Sequence, residues 1–481
     1  MATSGPTPFF LTPIDSVMPR AHIPQLYFFP ETPGYEVSSM IDTLRSGLRK
    51  TVEAMGFLSG TIQTVSQEGI QKGILCVSTP WCTIDDILQV KDLRQSEWMD
   101  YRILKDRHFV LDGKDVVSLT PIAAMMKEEK PVMLVQLNIV NGGMIMALCL
   151  NHSFTDGAGF TSIARVWAAC CRGEDGLRNL TIDMIDRKRL MQGYGSEPLE
   201  NFDGFPLPPV RNPVPFSRSL TQIFMKALGY LSSFLSRKTT STDNPQTETG
   251  LFFFSKSKLA ELKLLGSARG QGEEVDVWIS TMDALCALIF CCVHCARDEK
   301  LRTKANKSFT MLTAMSMRRL LDPPLPADYI GNVLTFLQCV LPNTEIDSKP
   351  EKVAEVARLM RSKIKERDED YLRKLIGALS SIEDLAKLEP TTQLEGWLGL
   401  SSLANQDLYD INWGEAVGST IERVRMGFAV KNFCLVLPEL RNPVFADDDC
   451  GLEIEIALDK EQMGRLRQDK LFMGFAQWRS R

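Results

Sequence analysis

Of the four histidines in the chain, His152 occupies the position best suited to chemistry. It follows the apolar run from Met144 to Leu150 almost directly, and it precedes Ser-Phe-Thr-Asp156-Gly-Ala-Gly, which opens a helical pattern. A loop at the end of a strand is where a rigid scaffold presents reactive groups. A neutral imidazole there can take a proton from a hydroxyl or an amine near neutral pH. The His-x-x-x-Asp spacing by itself also fits a structural histidine.

No other familiar catalytic motif accompanies this histidine. The sequence contains no Gly-x-Ser-x-Gly elbow, no Walker loop, no dinucleotide fingerprint and no His-Glu-x-x-His motif. A hydrolase with a serine nucleophile or a catalytic metal would often show one of these patterns. The sequence therefore disfavours those two classes of enzyme.

A cysteine-rich segment raises the question of a metal site: it contains Cys286, Cys291, Cys292, His294 and Cys295. Apolar residues recur through this segment at helical spacing, which predicts a buried helix. A structural zinc site usually draws its ligands from two separate segments of the chain. We therefore expect these cysteines to pack in a core as small apolar residues, and we expect no metal site.

The elements around His152 are predicted to alternate between helix and strand. Apolar residues at helical spacing predict a helix over 37–55, which ends at Gly56. Residues 131–139 and 144–150 are predicted strands, joined by an Asn-Gly-Gly hairpin turn. A second helix is predicted over 160–171. These elements would hold the His152 loop between a strand and a helix.

Composition divides the chain into three parts. We predict an N-terminal α/β lobe over 1–195, a Pro-rich crossover linker over 196–250 and a C-terminal α/β lobe over 251–481. Within the linker, residues 219–237 carry apolar side chains at helical spacing and predict one amphipathic helix. In the second lobe, residues 452–458 alternate apolar side chains with glutamates, which predicts a half-exposed strand.

The bulk composition describes an ordinary globular protein. Hydrophobic residues make up 44% and charged residues 24% of 481 residues, which excludes disordered and coiled-coil classes. The net charge of -5 argues against a nucleic-acid partner. The longest apolar run, 284–293, is too short for a membrane span, which needs about 20 residues. The N-terminus lacks the features of a secretory signal, so we expect free thiols and a cytoplasmic location.

The segment from His152 to Gly157 resembles the His-x-x-x-Asp-Gly motif of the BAHD acyltransferases, which use acyl-coenzyme A. Further landmarks of this family follow in order, at similar separations, through nearly the whole chain. They are Ser280-Thr281 at a helix start, Asp322–Pro326 with Gly331-Asn332, Ser401-Ser402-Leu403, and Asn412–Ala416. The runs 130–157 and 461–470 are most similar to the fungal branch, which includes the trichothecene 3-O-acetyltransferases.

The second motif departs from the family pattern. The family has Asp-Phe-Gly-Trp-Gly where this chain has Asn412-Trp413-Gly414-Glu-Ala. Since the family's motif is largely structural, the resemblance implies that catalysis can survive without an ion pair at Asn412. Leu403 stands where the family has a tryptophan near the acceptor, which implies a reshaped acceptor pocket.

The resemblance implies a chloramphenicol-acetyltransferase-like α/β fold, with two similar-sized lobes, mixed sheets flanked by helices and a solvent channel at the interface. His152 would lie in mid-channel, reached by coenzyme A from one face and by the acceptor from the other. It would remove the acceptor proton, and Ser401 or Ser402 would donate a hydrogen bond to the oxyanion. Asp156 would pair with Arg318 and hold the loop, without orienting the imidazole as in a protease triad.

A second group of residues is expected on the coenzyme A side. Lys256 and Lys258 would approach the phosphates as point charges, although solvated surface lysines fit the sequence equally well. Ser280, Thr281 and Asn332 are assigned to the same binding group by their place in the family landmarks.

The sequence therefore predicts an acyl-coenzyme A-dependent acyltransferase that acetylates a hydroxyl or an amine of a small fungal secondary metabolite. We expect acetyl-coenzyme A as a co-substrate, no tightly bound cofactor and a monomer. Two alternatives remain: a carrier-protein-dependent transferase or cyclase of the same fold, and a silent ligand-binding relative. An intact His152 and Asp156 argue against the silent relative. Stabilisation by coenzyme A would separate the first function from the others.

Overall fold

The structure is a computed structural model, and it describes thirteen stretches of the chain. These are residues 9–34, 36–65, 67–78, 82–96, 98–127, 130–174, 180–205, 247–267, 278–304, 307–388, 396–427, 430–441 and 450–480. The helix predicted over 219–237 lies outside the described residues. The boundaries proposed for the two lobes and the linker stay predictions.

The described residues form strands and helices that alternate along most of the chain. The strands are β1 (Phe9–Phe10), β2 (His22–Pro30), β3 (Thr61–Thr64), β4 (Leu75–Ser78), β5 (Leu88–Asp92), β6 (Lys130–Pro131), β7 (Met133–Val140), β8 (Gly143–Asn151), β9 (Thr247–Ser255), β10 (Ser308–Ser316), β11 (Leu334–Pro342), β12 (Trp397–Ser402), β13 (Arg423–Met426), β14 (Phe433–Val436), β15 (Gly451–Asp459) and β16 (Gln477–Trp478). The α-helices are α1 (Pro13–Val17), α2 (Val37–Ala54), α3 (Ile84–Ile87), α4 (Tyr101–Asp106), α5 (Gly113–Leu119), α6 (Ile122–Met125), α7 (Gly157–Cys171), α8 (Lys256–Gly266), α9 (Thr281–Cys295), α10 (Glu299–Arg302), α11 (Pro350–Lys365), α12 (Glu369–Ser381), α13 (Lys460–Leu466) and α14 (Lys470–Phe475).

The strands build two larger sheets and a small one. One sheet has the order β13-β2-β8-β7-β5, another has the order β11-β10-β12-β14-β15-β9-β16, and the small sheet is β1-β4-β3-β6. Both larger sheets are mixed, because β5 runs parallel to β7, and β12 runs parallel to both β10 and β14. Strand β13 comes from the second half of the chain but pairs with β2 of the first half. The chain therefore crosses back between the halves.

Helices α2 and α7 cover one face of the first sheet, helices α4, α5 and α6 cover its other face, and helices cover one face of the seven-stranded sheet. On the first sheet, α2 and α7 pack against β2, β7 and β8, with Met40, Leu44 and Leu48 of α2 fully buried. On the seven-stranded sheet, α9 packs on the apolar face together with α11 and the C-terminal helices. The cysteine-rich segment is this helix, and Cys286, Cys291 and Cys292 are buried in its core. The architecture is α/β, with mixed sheets flanked by helices.

The prediction of a half-exposed strand over 452–458 is wrong in one respect. The apolar side chains of β15 do face the helices, but Glu453 on the opposite face has no exposed surface. At Glu453 that face is shielded from solvent, because Arg423 and Arg425 of β13 pack against it. Alternation shows that two faces differ in polarity, but it does not show what covers the polar one.

None of the described helices combines the length and the apolar character that crossing a bilayer requires.

Candidate active site

The His152 loop connects the end of β8 to the start of α7. The His152 backbone N–H donates to the Ala21 carbonyl at 2.9 Å, just before β2. The Ser153 hydroxyl donates to the Pro19 carbonyl at 3.1 Å, and its N–H donates to the Asn151 side chain at 3.1 Å. These bonds fix the loop backbone from the N-terminal side. The sequence prediction of a strand–loop–helix junction at His152 matches this arrangement.

The His152 ring is half-buried, and its two nitrogens differ in environment. Nδ1 is buried and makes no hydrogen bond of good geometry with a described residue. Burial lowers the pKa of His152 from its usual 6.5, and this effect outweighs the backbone and Asp156, which favour the protonated ring. The ring is therefore neutral at physiological pH. A neutral imidazole can accept a proton.

Asp156 has two structural tasks at the start of α7. Its Oδ1 accepts the backbone N–H groups of Ala158 and Gly159 at 3.2 Å each, which caps the helix. Both of its oxygens accept bonds from the Arg318 guanidinium at 2.7 Å, and both side chains are at least 95% buried. Its Oδ2 also accepts the Val333 N–H at 3.2 Å. The carboxylate makes no hydrogen bond with the His152 ring, although both residues are described.

Ser401 and Ser402 end strand β12, which lies against the start of α7. A Cβ atom added to Gly157 would lie 2.7 Å from Leu403 Cδ2, so the residue after the two serines touches the His152–Asp156 loop region. The Ser402 hydroxyl accepts the Ala404 N–H at 3.2 Å and caps the turn after the strand. The Ser401 side chain is partly exposed and makes no hydrogen bond with a described residue. Ser401 is therefore the freer donor of the two.

A row of residues crosses the seven-stranded sheet on the face turned away from α9. Ser401 pairs with Leu435, Leu435 with Glu455, and Glu455 with Leu251. Residues paired in this way share a face of the sheet, and neighbouring strands lie about 4.8 Å apart. Leu251, Leu403 and Leu435 also pack with Ile23 of β2. This face therefore packs against β2 and lies next to the His152 loop.

Sequence reasoning missed the importance of the two glutamates on this face. Glu453 accepts a hydrogen bond from Arg479 at 2.9 Å, and it forms ion pairs with Arg425 at 2.8 Å and Arg423 at 3.7 Å. Burial would raise the pKa of Glu453, but the three arginines lower it to about 2. Burial raises the pKa of Glu455 to about 7, against the lowering effect of Arg425. Both glutamates are visible in the sequence, but only the packing of β13 on β15 shows that Glu453 is buried.

Asn332 occupies a structural position in this structure. Its side chain is fully buried, and its Nδ2 donates to the His152 carbonyl at 2.8 Å and to Asp15 at 2.9 Å. The prediction that Asn332 contacts coenzyme A gains no support from this placement, because the residue has no accessible surface.

The other residues assigned to coenzyme A lie at the starts of two helices. Lys256 is exposed in the first turn of α8, and Lys258 forms an ion pair with Glu261 at 2.8 Å. The Ser280 hydroxyl caps α9 by accepting the Asp283 N–H at 3.1 Å, and Thr281 is the first residue of that helix. No hydrogen bond between described residues joins the lysines to Ser280 or Thr281. Their contact with coenzyme A stays a prediction.

The altered second motif forms a turn beside the first lobe. The exposed Asn412 side chain accepts the Gly414 N–H at 2.9 Å, and the Asn412 carbonyl accepts from Arg172. Trp413 is fully buried and packs between Tyr27, Phe29 and Trp167. Gly414 has φ of 89°, which favours glycine because other residues are strained there. These contacts anchor the turn in the core of the first lobe.

Comparison with known proteins agrees with this fold. Residues 99–473 match the transferase family, and residues 22–171 match the trichothecene 3-O-acetyltransferase-like N-terminal domain. The chain belongs to this transferase family. The resemblance to the fungal branch of the BAHD acyltransferases is thereby confirmed, and the protein is an acyltransferase.

Two similar relatives are fungal enzymes. An eremophilane O-acetyltransferase of Penicillium roqueforti is 24% identical, over 97% of this chain and 98% of its own length. An acyltransferase of Botryotinia fuckeliana is 25% identical, over 96% of this chain and 95% of its own.

Solved structures share the fold across the chain. TRI101 of F. sporotrichioides, complexed with coenzyme A and T-2, is 19% identical with a TM-score of 0.73, covering 98% of this chain and 100% of that one. Vinorine synthase is 16% identical with a TM-score of 0.64, covering 99% and 95%.

Proposed function

We propose that the protein transfers an acetyl group from acetyl-coenzyme A to a hydroxyl or an amine of a small fungal secondary metabolite. The observation that carries this proposal is the state of the His152 loop. Asp156 is fully engaged by Arg318 and the helix N-terminus and makes no hydrogen bond with the His152 ring, whose pKa burial lowers. A neutral imidazole at a rigid junction is equipped to act as a general base.

The proposed reaction is a direct transfer within a ternary complex. Because Nδ1 is buried, His152 Nε2 takes the proton from the acceptor hydroxyl or amine. The acceptor atom attacks the thioester carbonyl carbon, and the carbonyl electrons move to its oxygen. When the tetrahedral intermediate collapses, the carbon–sulfur bond breaks. The thiolate of coenzyme A then takes the proton from the imidazolium, which restores the neutral ring.

The oxyanion of that intermediate needs a hydrogen-bond donor. The Ser401 hydroxyl is our first candidate, since it makes no hydrogen bond with a described residue and lies two residues before Leu403, which approaches Gly157. Ser402 is the second candidate, although its oxygen already caps a turn. Removing one such donor typically costs about 2.7–4 kcal/mol of transition-state stabilisation.

The substrates are assigned by analogy with the relatives. The eremophilane O-acetyltransferase of P. roqueforti is named for a sesquiterpenoid acceptor, so hydroxylated sesquiterpenoids are the first acceptors to try. We propose that acetyl-coenzyme A is bound without a permanent cofactor, with Lys256 and Lys258 near its phosphates. We also propose that the enzyme works as a monomer in the cytoplasm.

The test is incubation of the purified protein with acetyl-coenzyme A and a panel of hydroxylated sesquiterpenoids and amines. Mass spectrometry then detects products that carry one added acetyl group. A parallel series with longer acyl-coenzyme A donors measures chain-length preference. Failure to acylate any acceptor from any acyl-coenzyme A, with no thermal stabilisation by coenzyme A, would overturn the proposal.

The matched variants are His152→Ala and His22→Gln. His152→Ala should lower kcat by about 10²–10⁴ without a change in fold. His22→Gln alters a buried histidine whose Nε2 lies 2.7 Å from the Pro131 carbonyl, and it should keep most of the activity. A His152→Ala variant that retains more than half of the wild-type rate would remove His152 from the mechanism.

A further inference from the structure

Asp15 is a fully buried carboxylate whose two oxygens each accept two hydrogen bonds. It lies in the short helix α1, and its Oδ2 accepts the Thr12 N–H at 3.0 Å and Arg187 Nε at 2.9 Å. Its Oδ1 accepts both the backbone N–H and the side-chain Nδ2 of Asn332, each at 2.9 Å. The carboxylate therefore joins three segments that are far apart in sequence.

Two of these partners, Asn332 and Arg187, also bind the backbone of the His152 loop. Asn332 Nδ2 donates to the carbonyl of His152 at 2.8 Å. Arg187 Nη2 donates to the carbonyl of Phe154 at 2.8 Å, and its guanidinium lies 4.9 Å from the centre of the Phe154 ring. The carbonyls of His152 and Phe154 are thus both held by side chains that Asp15 orients.

This arrangement complements the one around Asp156. The backbone N–H of Asn332 donates to Asp15, and the next N–H along the chain, that of Val333, donates to Asp156 at 3.2 Å. One short segment therefore bridges two buried carboxylates. Asp156 secures the helix end of the loop, and the Asp15 network secures the end that carries His152.

We propose that Asp15 is a positioning residue that fixes the orientation of the His152 ring through Asn332 and Arg187. The inference rests on His152 being the general base of the proposed reaction. An aspartate suits this place because both of its carboxylate oxygens act only as acceptors, in four hydrogen bonds in all. In Asp15→Asn, one carboxylate oxygen is replaced by an amide NH2, which cannot accept a hydrogen bond. The bond to Asn332 or the bond to Arg187 would therefore be lost.

The chain provides a closely matched control in Asp283. Like Asp15, it is a buried aspartate in the capping box of a helix, and it is paired with an arginine, Arg361. Asp283→Asn should therefore cost a similar amount of stability. Unlike Asp15, it makes no hydrogen bond to Asn332 or to Arg187, since it lies in α9.

The test is nuclear magnetic resonance of protein labelled at its four histidine rings. In Asp15→Asn we expect the His152 resonance to move and its pKa to rise toward 6.5, because a loosened loop admits water. Asp283→Asn should leave the His152 resonance and pKa at their wild-type values. If Asp15→Asn is too unstable to label, Asn332→Ala removes one connection and keeps the contacts of Asp15 with Thr12 and Arg187.

Kinetics supplies the second measurement. Small displacements of a catalytic group can cost about 10²-fold, so kcat should fall about 10- to 100-fold while KM for acetyl-coenzyme A stays unchanged. An unmoved His152 resonance in folded Asp15→Asn overturns the proposal, as does an equal movement in Asp283→Asn. If the wild-type protein acylates nothing, the proposed function fails, but the resonance experiment still decides whether Asp15 positions His152.

Discussion

Trp167 and Trp413 meet edge to face, with ring centroids 5.3 Å apart and planes at 83°. Trp167 lies on α7, the helix that follows the His152 loop, and Trp413 lies in the altered second motif. Edge-to-face aromatic pairs are favourable beyond their buried area. The second motif thus supports the His152 loop indirectly, by packing against α7, the helix that follows the loop.

Trp413→Ala should destabilise the protein strongly. Trp413 is fully buried among three aromatic rings, and truncating a buried tryptophan typically costs about 3–5 kcal/mol. Chemical denaturation followed by far-ultraviolet circular dichroism measures the loss. Trp98→Ala, at a tryptophan that is 45% exposed, is the control and should change stability little. Equal losses in the two variants would contradict the anchoring role of Trp413.

Asn412→Asp should alter stability more than catalysis. The side chain is exposed, and a carboxylate can accept the Gly414 N–H as the amide oxygen does. It would also add charge near Arg172, which already donates to the Asn412 carbonyl, so we expect a slightly raised melting temperature. Melting curves and steady-state kinetics should be measured together. An unchanged melting temperature with a tenfold change in kcat would place Asn412 in the active site.

Asp156→Ala should destabilise the fold and lower activity through structure. Breaking a buried ion pair from one side costs about 3–5 kcal/mol, because Arg318 would keep an uncompensated charge. The matched control is Asp407→Ala, which breaks an ion pair with Arg165 whose side chains are 41% and 46% exposed. That variant should leave the melting temperature almost unchanged. A stable, inactive Asp156→Ala would instead indicate a direct catalytic role.

The pH dependence of kcat/KM should reflect the lowered pKa of His152. The base must be unprotonated, and burial lowers the pKa of the ring from 6.5. Activity should therefore be insensitive to the protonation of His152 through neutral pH, and it should fall only in acid, below about 6.5. Stopped assays across the pH range, with coenzyme A release as the signal, measure this limb. An acid limb whose pKa is assigned to His152 and lies above 6.5 would contradict the expected lowering of that pKa by burial.

Glu453→Gln should weaken the contact between β13 and β15. Three arginines would lose their buried counter-charge, at a cost of about 3–5 kcal/mol near neutral pH. The pKa of Glu453 is lowered from 4.5 to about 2, so its contribution is present above pH 4.5 and is lost as the pH falls toward 2. The stability difference between wild type and variant should shrink over that range. Glu439→Gln, on the surface beside Arg441, serves as the control. A constant difference down to pH 2 would refute the linkage.

The sequence alone determined the local elements and the leading candidate residue. Periods of 3.6 and 2 residues predicted α2, α7, β8 and α9 close to their observed bounds, because side-chain direction repeats with local backbone geometry. His152 was recognisable because its motif is contiguous in the chain. The ordered landmarks also identified the family and its α/β fold.

The tertiary structure alone decided which distant groups meet. Asp15 and Asn332 are 317 residues apart, and no local pattern links a helix-capping aspartate to the carbonyl of His152. The same holds for Glu453: the sequence predicts a half-exposed strand, but Arg423 and Arg425 of β13 pack against this residue. Local periodicity depends on neighbouring backbone angles, whereas these contacts depend on the path of the whole chain. The sequence therefore predicted His152 as the base, and the folded chain determined which groups hold its loop in place.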